Sequence, residues 1–554
     1  MITSEKLRRL KRRYKLKRDS DDADWHSHWK DLADFILPRH GRFVDKHTQA
    51  GKGDKYKHSK IINGTASRAV SIAVSGLKGG LVPHSLPWLK LSLWDEDMND
   101  WEPAKLWLHD VQQVMYGVFT RSNFYSAVHT PFLEQVVFGT GPFAVYEDPK
   151  KMIRCVPWTV GSYTLATDHA GSVDTGFRWY WMTARTVAEQ FGLNNCSPHT
   201  RNLAEKNPDA QVRVINAVFP RKDYDPNKAG SDNMPWASVY WEDGAPEDSF
   251  LKESGFNTQP AMFPRWEVVG EDAYGSNCPG MEMLGDIKML QKLERDKLAS
   301  IDKVVNPPMN IPSSFKGRLS LLPNAQNYVN AKENEIIRST VQITPDIGAV
   351  ASEIREVENR IRQGFFNDLF LMILEDKNMT ATEVARRHEE KLAILGPVLE
   401  RQNSEFLSPL VDRVFDILMR NGRLPEPPRE IQGQEIKVEY TSLLAQAQKA
   451  VGTQAIERTA MFAGNLANFN PEVLDRVNFD AMLEEYADLA GADPKMLRSD
   501  DEAAEMRQQR KQAQAQQMMM EQASQAAKAA KDLGQTPTGE DTALNGLLDK
   551  LPAV

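Results

Sequence analysis

Two long amphipathic segments separated by a stretch broken by prolines and glycine organise the second half of this 554-residue chain. In residues 280–304 the side chains Leu284, Ile287, Leu290, Leu293, Leu298 and Ile301 fall on one side of a helix, and Asn306-Pro307-Pro308 ends it. A second rod opens with Thr344 as N-cap and Pro345 in the first helical position. Ile347, Val350, Ile354, Val357 and Ile361 follow at steps of 3, 4, 3 and 4. Carried to about Leu374, it is ~45 Å long at ~1.5 Å per residue. Residues 306–343, broken by prolines and glycine, suit a compact module of turns and short strands.

The remaining signals extend this plan. Glu375-Asp376-Lys377-Asn378 interrupts the second rod. A third rod begins with the capping box Thr380 and Glu383, carries Gly396-Pro397 as a predicted kink, and reaches Arg420 before Asn421-Gly422 and three prolines. Shorter helices fill 440–500, divided at Asn470-Pro471 and Asp493-Pro494. The Gln/Ala/Met-rich stretch 501–533 reads either as one isolated helix or as a disordered tail, and the last 20 residues as flexible.

All twelve tryptophans lie between Trp25 and Trp266, so an architectural boundary is expected near residue 275. Before it, Trp25, Trp29, Leu32 and Ile36 form one helical face stopped by Pro38, and Trp107, Val111, Val114 and Val118 form another. Residues 59–78 predict a small-residue helix ended by Gly79-Gly80. Strands are predicted at 143–146, 153–156, 177–181, 212–219, 238–241 and 266–269, giving an α+β domain.

Composition removes several function classes. Hydrophobic residues at 41% and charged residues at 26% describe a folded protein. Cys155, Cys196 and Cys278 are too widely spaced for a zinc cluster or a disulfide framework. No run of about 18 apolar residues occurs, so no membrane span is expected. Residues 1–18 hold nine Lys/Arg against Glu5 alone, which leaves 59 basic and 75 acidic groups from residue 19 onward, net −16. An acidic body argues against tight phosphate binding and is compatible with a surface past which DNA slides.

Motifs that suggest catalysis fail in context. Gly139-Thr140-Gly141-Pro142-Phe143-Ala144 matches GxGxxA by letter, but a strand-like segment follows it and a proline interrupts it, so it reads as a turn. No GxxxxGKS/T sequence is present, and ATP hydrolysis is assigned to another protein. His26 and His28 at i,i+2 point to different parts of a helix surface. Asp95, Glu96, Asp97 and Asp100 read as a solvated loop beside Trp94 and Trp101. No catalytic residue, metal or cofactor is predicted.

The chain resembles the head-to-tail connector, or portal, family of short-tailed bacteriophages from about Trp25 to about Pro428, fading in the C-terminal quarter. The resemblance is carried by Leu37-Pro38-Arg39, Gly76-Leu77-Lys78-Gly79-Gly80-Leu81 with Pro87-Trp88, Ser122-Asn123-Phe124-Tyr125, Phe138-Gly139-Thr140-Gly141, and Met379-Thr380-Ala381-Thr382-Glu383-Val384 with Leu395-Gly396-Pro397-Val398. It implies a mainly helical α+β portal fold assembled as a twelve-fold ring. On this sequence the parts are a basic arm (1–20), an α+β wing (21–278), a first stem helix (279–305), a clip (306–343), a second stem helix (344–374), a channel loop (375–379), a long kinked helix (380–422), a crown (423–500), a C-terminal barrel helix (501–533) and a flexible tail (534–554).

The implied function is a non-enzymatic channel at one capsid vertex, in the virion and, during assembly, in the host cytoplasm. Capsid and scaffolding proteins, the large terminase subunit, tail adaptor or nozzle proteins and non-specifically passing duplex DNA are the implied partners. Glu375, Asp376, Lys377 and Asn378 are the candidates for the narrowest point, and Lys316 and Arg318 for a clip surface facing motor or tail. The basic arm, with Arg8, Arg9, Lys11, Arg12 and Arg13, leaves two readings open: a solvated helical arm of the kind that is commonly mobile, or a contact to packaged DNA, a capsid protein or a scaffold. The alternatives are a non-channel shell or scaffold protein, and a metal-dependent DNA-processing enzyme in which Asp95 and Asp97 would be essential.

Overall fold

A computed structural model of the chain describes residues 2–40, 42, 60–95, 98–99, 101–225, 228, 230–305, 309–310, 338–339, 346–375, 395–434, 436–440, 443–467, 476–490, 496, 498 and 500–534. It forms two compact units, Met1–Glu457 and Arg458–Val554.

The first unit begins with helices α1 (Ser4–Asp24), α2 (His26–Phe35) and α3 (Thr65–Leu81), strand β1 (Leu89–Leu93), and helices α4 (Glu102–Arg121), α5 (Phe124–Ala127) and α6 (His129–Phe138). The predicted faces are the buried ones: Trp29 and Leu32 on α2, and Trp107, Val111 and Val118 on α4. Helix α3 runs through Gly79-Gly80 to Leu81 instead of stopping there. Interior glycine costs about 1 kcal/mol relative to alanine, and burial of Leu81 and Val82 outweighs it.

Strands follow: β2 (Phe143–Asp148), β3 (Met152–Pro157), β4 (Tyr163–Thr167) and β5 (Val173–Thr183). Helices α7 (Ala184–Phe191) and α8 (Pro198–Lys206) interrupt before β6 (Gln211–Pro220), β7 (Trp236–Glu242), β8 (Lys252–Phe256) and β9 (Ala261–Met262). Strands β4-β5-β6-β7-β8 form one antiparallel sheet, and β3-β2-β9 a second.

The five-stranded sheet is covered on both faces, and the period of two decides which residue meets which cover. Odd-numbered Phe177, Ile215, Ala217, Val239 and Trp241 pack with Leu7, Leu10 and Tyr14 of α1. Even-numbered Val212, Val214, Tyr180, Met182 and Tyr240 pack with Ala184, Val187, Phe191 and Leu203 of α7 and α8. Ser197, the N-cap of α8, accepts from the Thr200 amide, with Pro198 in the first turn. The expected strand at 266–269 is absent; that segment holds only an isolated bridge, Glu267 to Asn277.

The helical half runs α9 (Pro279–Glu282), α10 (Leu284–Val305), the short antiparallel strands β10 (Met309–Asn310) and β11 (Arg338–Ser339), α11 (Ile347–Gly364) and α12 (Asn367–Glu375). Residues 395–402 are helical and lead through a π-helical turn, Asn403–Leu407, into α13 (Ser408–Arg420). Strand β12 (Ile436–Tyr440), which no sequence signal announced, pairs antiparallel with β1. Helix α14 (Leu443–Ala467) runs across the division between the units. The second unit contains α15 (Phe479–Ala490) and α16 (Asp500–Gly534), with a bidentate Arg507–Asp480 pair at 2.6 and 2.8 Å.

The Gly139-Thr140-Gly141 segment is a turn. Gly139 closes α6 in the left-handed region (φ +82°), and Gly141 leads into β2 with its α-carbon against the Pro131 carbonyl, leaving no space for a Cβ. Backbone cannot move aside as a side chain can, so Gly141→Ala is expected to cost about 3 kcal/mol. A thermal midpoint equal to that of the natural chain would contradict this packing.

Candidate functional site

The two rods lie side by side and run in opposite directions. Gly364 at the end of α11 abuts Met283 at the start of α10, and Arg360 pairs with Asp286 at 3.5 Å. Their bases share one apolar seam, with Leu284, Ile287 and Leu290 facing Ile354, Val357 and Ile361, all buried. Farther out the seam opens: Leu298 is 54% exposed and Val305 68%. The charges along both helices nearly balance, with Lys288, Lys292, Arg295, Lys297 and Lys303 against Asp286, Glu294, Asp296 and Asp302 on α10, and Arg355, Arg360 and Arg362 against Glu353, Glu356 and Glu358 on α11.

A buried polar knot fixes both rods to the start of α3. The side chain of Gln291 accepts from the amides of Ile62 (2.6 Å) and Asn63 (2.9 Å) and donates to the Asn63 carbonyl (2.8 Å). Asn63 Nδ2 donates to Glu294 on α10 (3.1 Å) and to Glu358 on α11 (2.8 Å), while its Oδ1 accepts from the Thr65 amide and hydroxyl. One asparagine therefore measures the separation of the rods. Sequence reading missed it, because a polar pair 228 residues apart leaves no periodic signal.

The second rod is shorter than its spacing predicts. Asp346, not Thr344, caps it, accepting from the Ala349 amide at 3.0 Å. It ends at Gly364, because Phe366 adopts φ +55° and α12 starts afresh at Asn367. The break turns Phe370 onto Gly76 of α3, where a side chain would have no room. Glu375 is the last residue of α12, so it belongs to a helix end and not to a loop. Asp376, Lys377 and Asn378, the capping box at Thr380 and Glu383, and the clip candidates Lys316 and Arg318 lie outside the described residues.

Gly396-Pro397 falls in the first turn of the described helix 395–402, and the irregularity along that helix is the π-turn at Asn403–Leu407, just before Pro409. Proline lacks the N–H that an α-helical bond would need. The turn presents Glu405 to Arg265, which grips it at 2.7 and 3.2 Å and also donates to the carbonyls of Gly171 and Asp272. Arg413, fully buried, lies over Phe256 at 4.9 Å and donates to Thr258; burial pushes its guanidinium down to about 10.

The basic arm is a docked helix. Leu7, Leu10 and Tyr14 bury themselves on the five-stranded sheet. Arg8 makes a bidentate pair with Asp248 (2.6 and 2.7 Å), Lys6 pairs with Asp223, and Lys11 donates to the carbonyls of Pro246 (2.8 Å) and Ser249 (2.7 Å). Arg9 pairs with Glu5 on the same helix, and Arg12 and Arg13 are exposed. Near the end of α1, Asp21 accepts from Tyr274 at 2.5 Å and from Thr164. Burial pushes its carboxyl up to about 6, opposed by those two hydrogen bonds.

Of the acidic group beside Trp94, Asp95 is described and Glu96, Asp97 and Asp100 are not; among the described residues no three His, Cys, Asp or Glu side chains converge as a metal site. Within the same limits no helix is long and apolar enough to cross a membrane.

The paired rods, the π-turn clamp and the sheet with two covers belong to a chain whose residues 8–497 match the family described as bacteriophage head to tail connecting protein, and the chain is a member of that family. It is 40% identical over 552 residues to the portal protein of Salmonella phage epsilon15, covering 99% of this chain and 98% of that one. It is also 37% identical over 530 residues to a probable portal protein of Bordetella phage BPP-1, covering 95% of each. The similarity runs past Pro428, where the motifs legible in the sequence fade, to nearly the end of the chain.

Two outcomes follow from this geometry. Gln291→Leu leaves two amides and a carbonyl unpaired beside a packed seam and is expected to cost about 3 kcal/mol or more, with faster amide exchange at the bases of α10 and α11. Unchanged exchange there would remove the knot from its role. For Asp21, the folded-state value lies above the ordinary 3.8, so the protonated form favours folding. Stability from this group is gained as pH falls through about 6 toward 4 and lost as pH rises. The stability of the natural chain relative to Asp21→Asn should therefore shift in favour of the natural chain by up to about 3 kcal/mol as pH falls from about 7 to about 4. A flat difference across that range would count against the buried carboxyl.

Proposed function

We propose that the chain is the portal subunit of a short-tailed double-stranded DNA bacteriophage, a virion component at one capsid vertex through which the genome is packaged and later ejected. The observation that carries this reading is the similarity to two portal proteins over almost the entire length of all three chains. The rods give it a physical form. Helices α10 and α11 are the stem, held at the base by an apolar seam, and toward the outer end of α10 Leu298, Val304 and Val305 are exposed among the described residues. In a twelve-fold ring, neighbouring copies cover them.

The balanced charge of the rods suits transit. Duplex DNA carries one charge per ~1.7 Å of axis, and a strongly basic wall would hold it by counterion release. In this reading residues 306–343 are the clip, with Lys316 and Arg318 toward motor or tail, and Glu375, Asp376, Lys377 and Asn378 border the narrowest point. Residues 423–500 form the crown, and α16 pairs with its copies as a barrel. Capsid and scaffolding proteins, the large terminase subunit and tail adaptors are the partners, assembly takes place in the host cytoplasm, and the work of packaging is done by a separate motor.

Electron micrographs of the purified full chain are expected to show rings with a central hole, twelve-fold in class averages down the axis. Monomers at every concentration would overturn the reading.

A further inference from the structure

The fold sorts the cations of α1 into two sets. Lys6, Arg8 and Lys11 are consumed inside the chain, by Asp223, Asp248 and two loop carbonyls. Arg12, Arg13 and Lys15 point away from the sheet, exposed, with no ion pair among the described residues, and Arg9 beside them makes only the exposed pair with Glu5. With Leu7, Leu10 and Tyr14 buried on one side, the helical period places Arg9, Arg12 and Leu16 along the opposite one, with Arg13 and Lys15 exposed on its two flanks. From residue 19 onward the chain is net −16, so this ridge is a local reversal of sign on an acidic protein.

We propose that the outer face of α1 is a binding track for the phosphate backbone of duplex DNA. Two features favour phosphate. The unpaired groups are all cationic and mostly guanidinium, whose planar fork matches phosphate oxygens. At ~1.5 Å per residue, Arg9 to Lys15 spans about 9 Å, the reach of two or three phosphates spaced ~3.4 Å apart along one strand's axis. Asp19 and Asp22 then end the ridge. Nothing in this arrangement reads bases, so binding is independent of sequence. Leu16, 71% exposed, is the one feature that a protein partner would use instead.

The test compares the assembled natural chain with the triple variant Arg12→Gln, Arg13→Gln, Lys15→Gln, using a short fluorescent duplex at a series of salt concentrations. Particle mass and thermal midpoint are checked first; none of the three side chains touches the core, so both should match. Losing three phosphate contacts flattens the slope of log K against log salt by about 2.7 and weakens low-salt binding by more than about tenfold. Those results support the track. Equal affinity and slope in the two proteins overturn it, and if Leu16→Ser then blocks incorporation into capsids, the ridge belongs to a protein partner. A failure of ring assembly is read separately, from particle mass, and bears on the portal reading alone.

Discussion

Everything else in the first unit is arranged around the contact between α10 and α11. Six buried aliphatic side chains at the base contribute roughly 1.5–3 kcal/mol each, enough to hold two helices together but not to set their height or angle. Apolar contact is non-directional, and a seam of leucine, isoleucine and valine can slide. The hydrogen bonds from Asn63 and Gln291 have direction. They make the register of the pair depend on where α3 begins, and α3 is itself packed against α12 through the close approach of Gly76 and Phe370.

Toward the outer halves of the rods the balance changes. On α10 Leu298, Val304 and Val305 are exposed, whereas Ile347 and Val350 of α11 are partly buried, so the base is the more firmly packed end of the pair. The clamp between Arg265 and Glu405 and the burial of Arg413 tie the long helix after residue 395 to the sheets.

Much of this could be read from the residues in order. The faces of α2, α4 and α11 followed from steps of three and four, and five of six predicted strands formed, because local period and burial agree there; on α10 the predicted side is buried at Leu284, Ile287 and Leu290 but exposed at Leu298. The misplacements share a cause. Thr344-Pro345 is a good start signal, yet Asp346 caps the helix; Gly79-Gly80 is a good stop signal, yet α3 runs through it. Local signals set preferences of about 1 kcal/mol, and contacts with distant residues exceed them. The basic arm was misread in part for the same reason. Its charge is local, whereas the aromatic surface that Tyr14 meets, Phe177, Trp179 and Trp241, comes from strands more than 160 residues away.

The residues alone determined that this chain has a mixed α+β first half, two rods around a proline-broken module, an acidic body with a basic start, and the order of motifs by which its family is recognised. These are properties of neighbouring residues and of totals, and they survive without any fold. Only the tertiary structure decided that the rods run antiparallel, that Asn63 spaces them, that β12 returns to β1, and which cations of α1 stay free. Each of these depends on groups far apart in the chain meeting at hydrogen-bond or van der Waals distance, and no local pattern encodes that meeting.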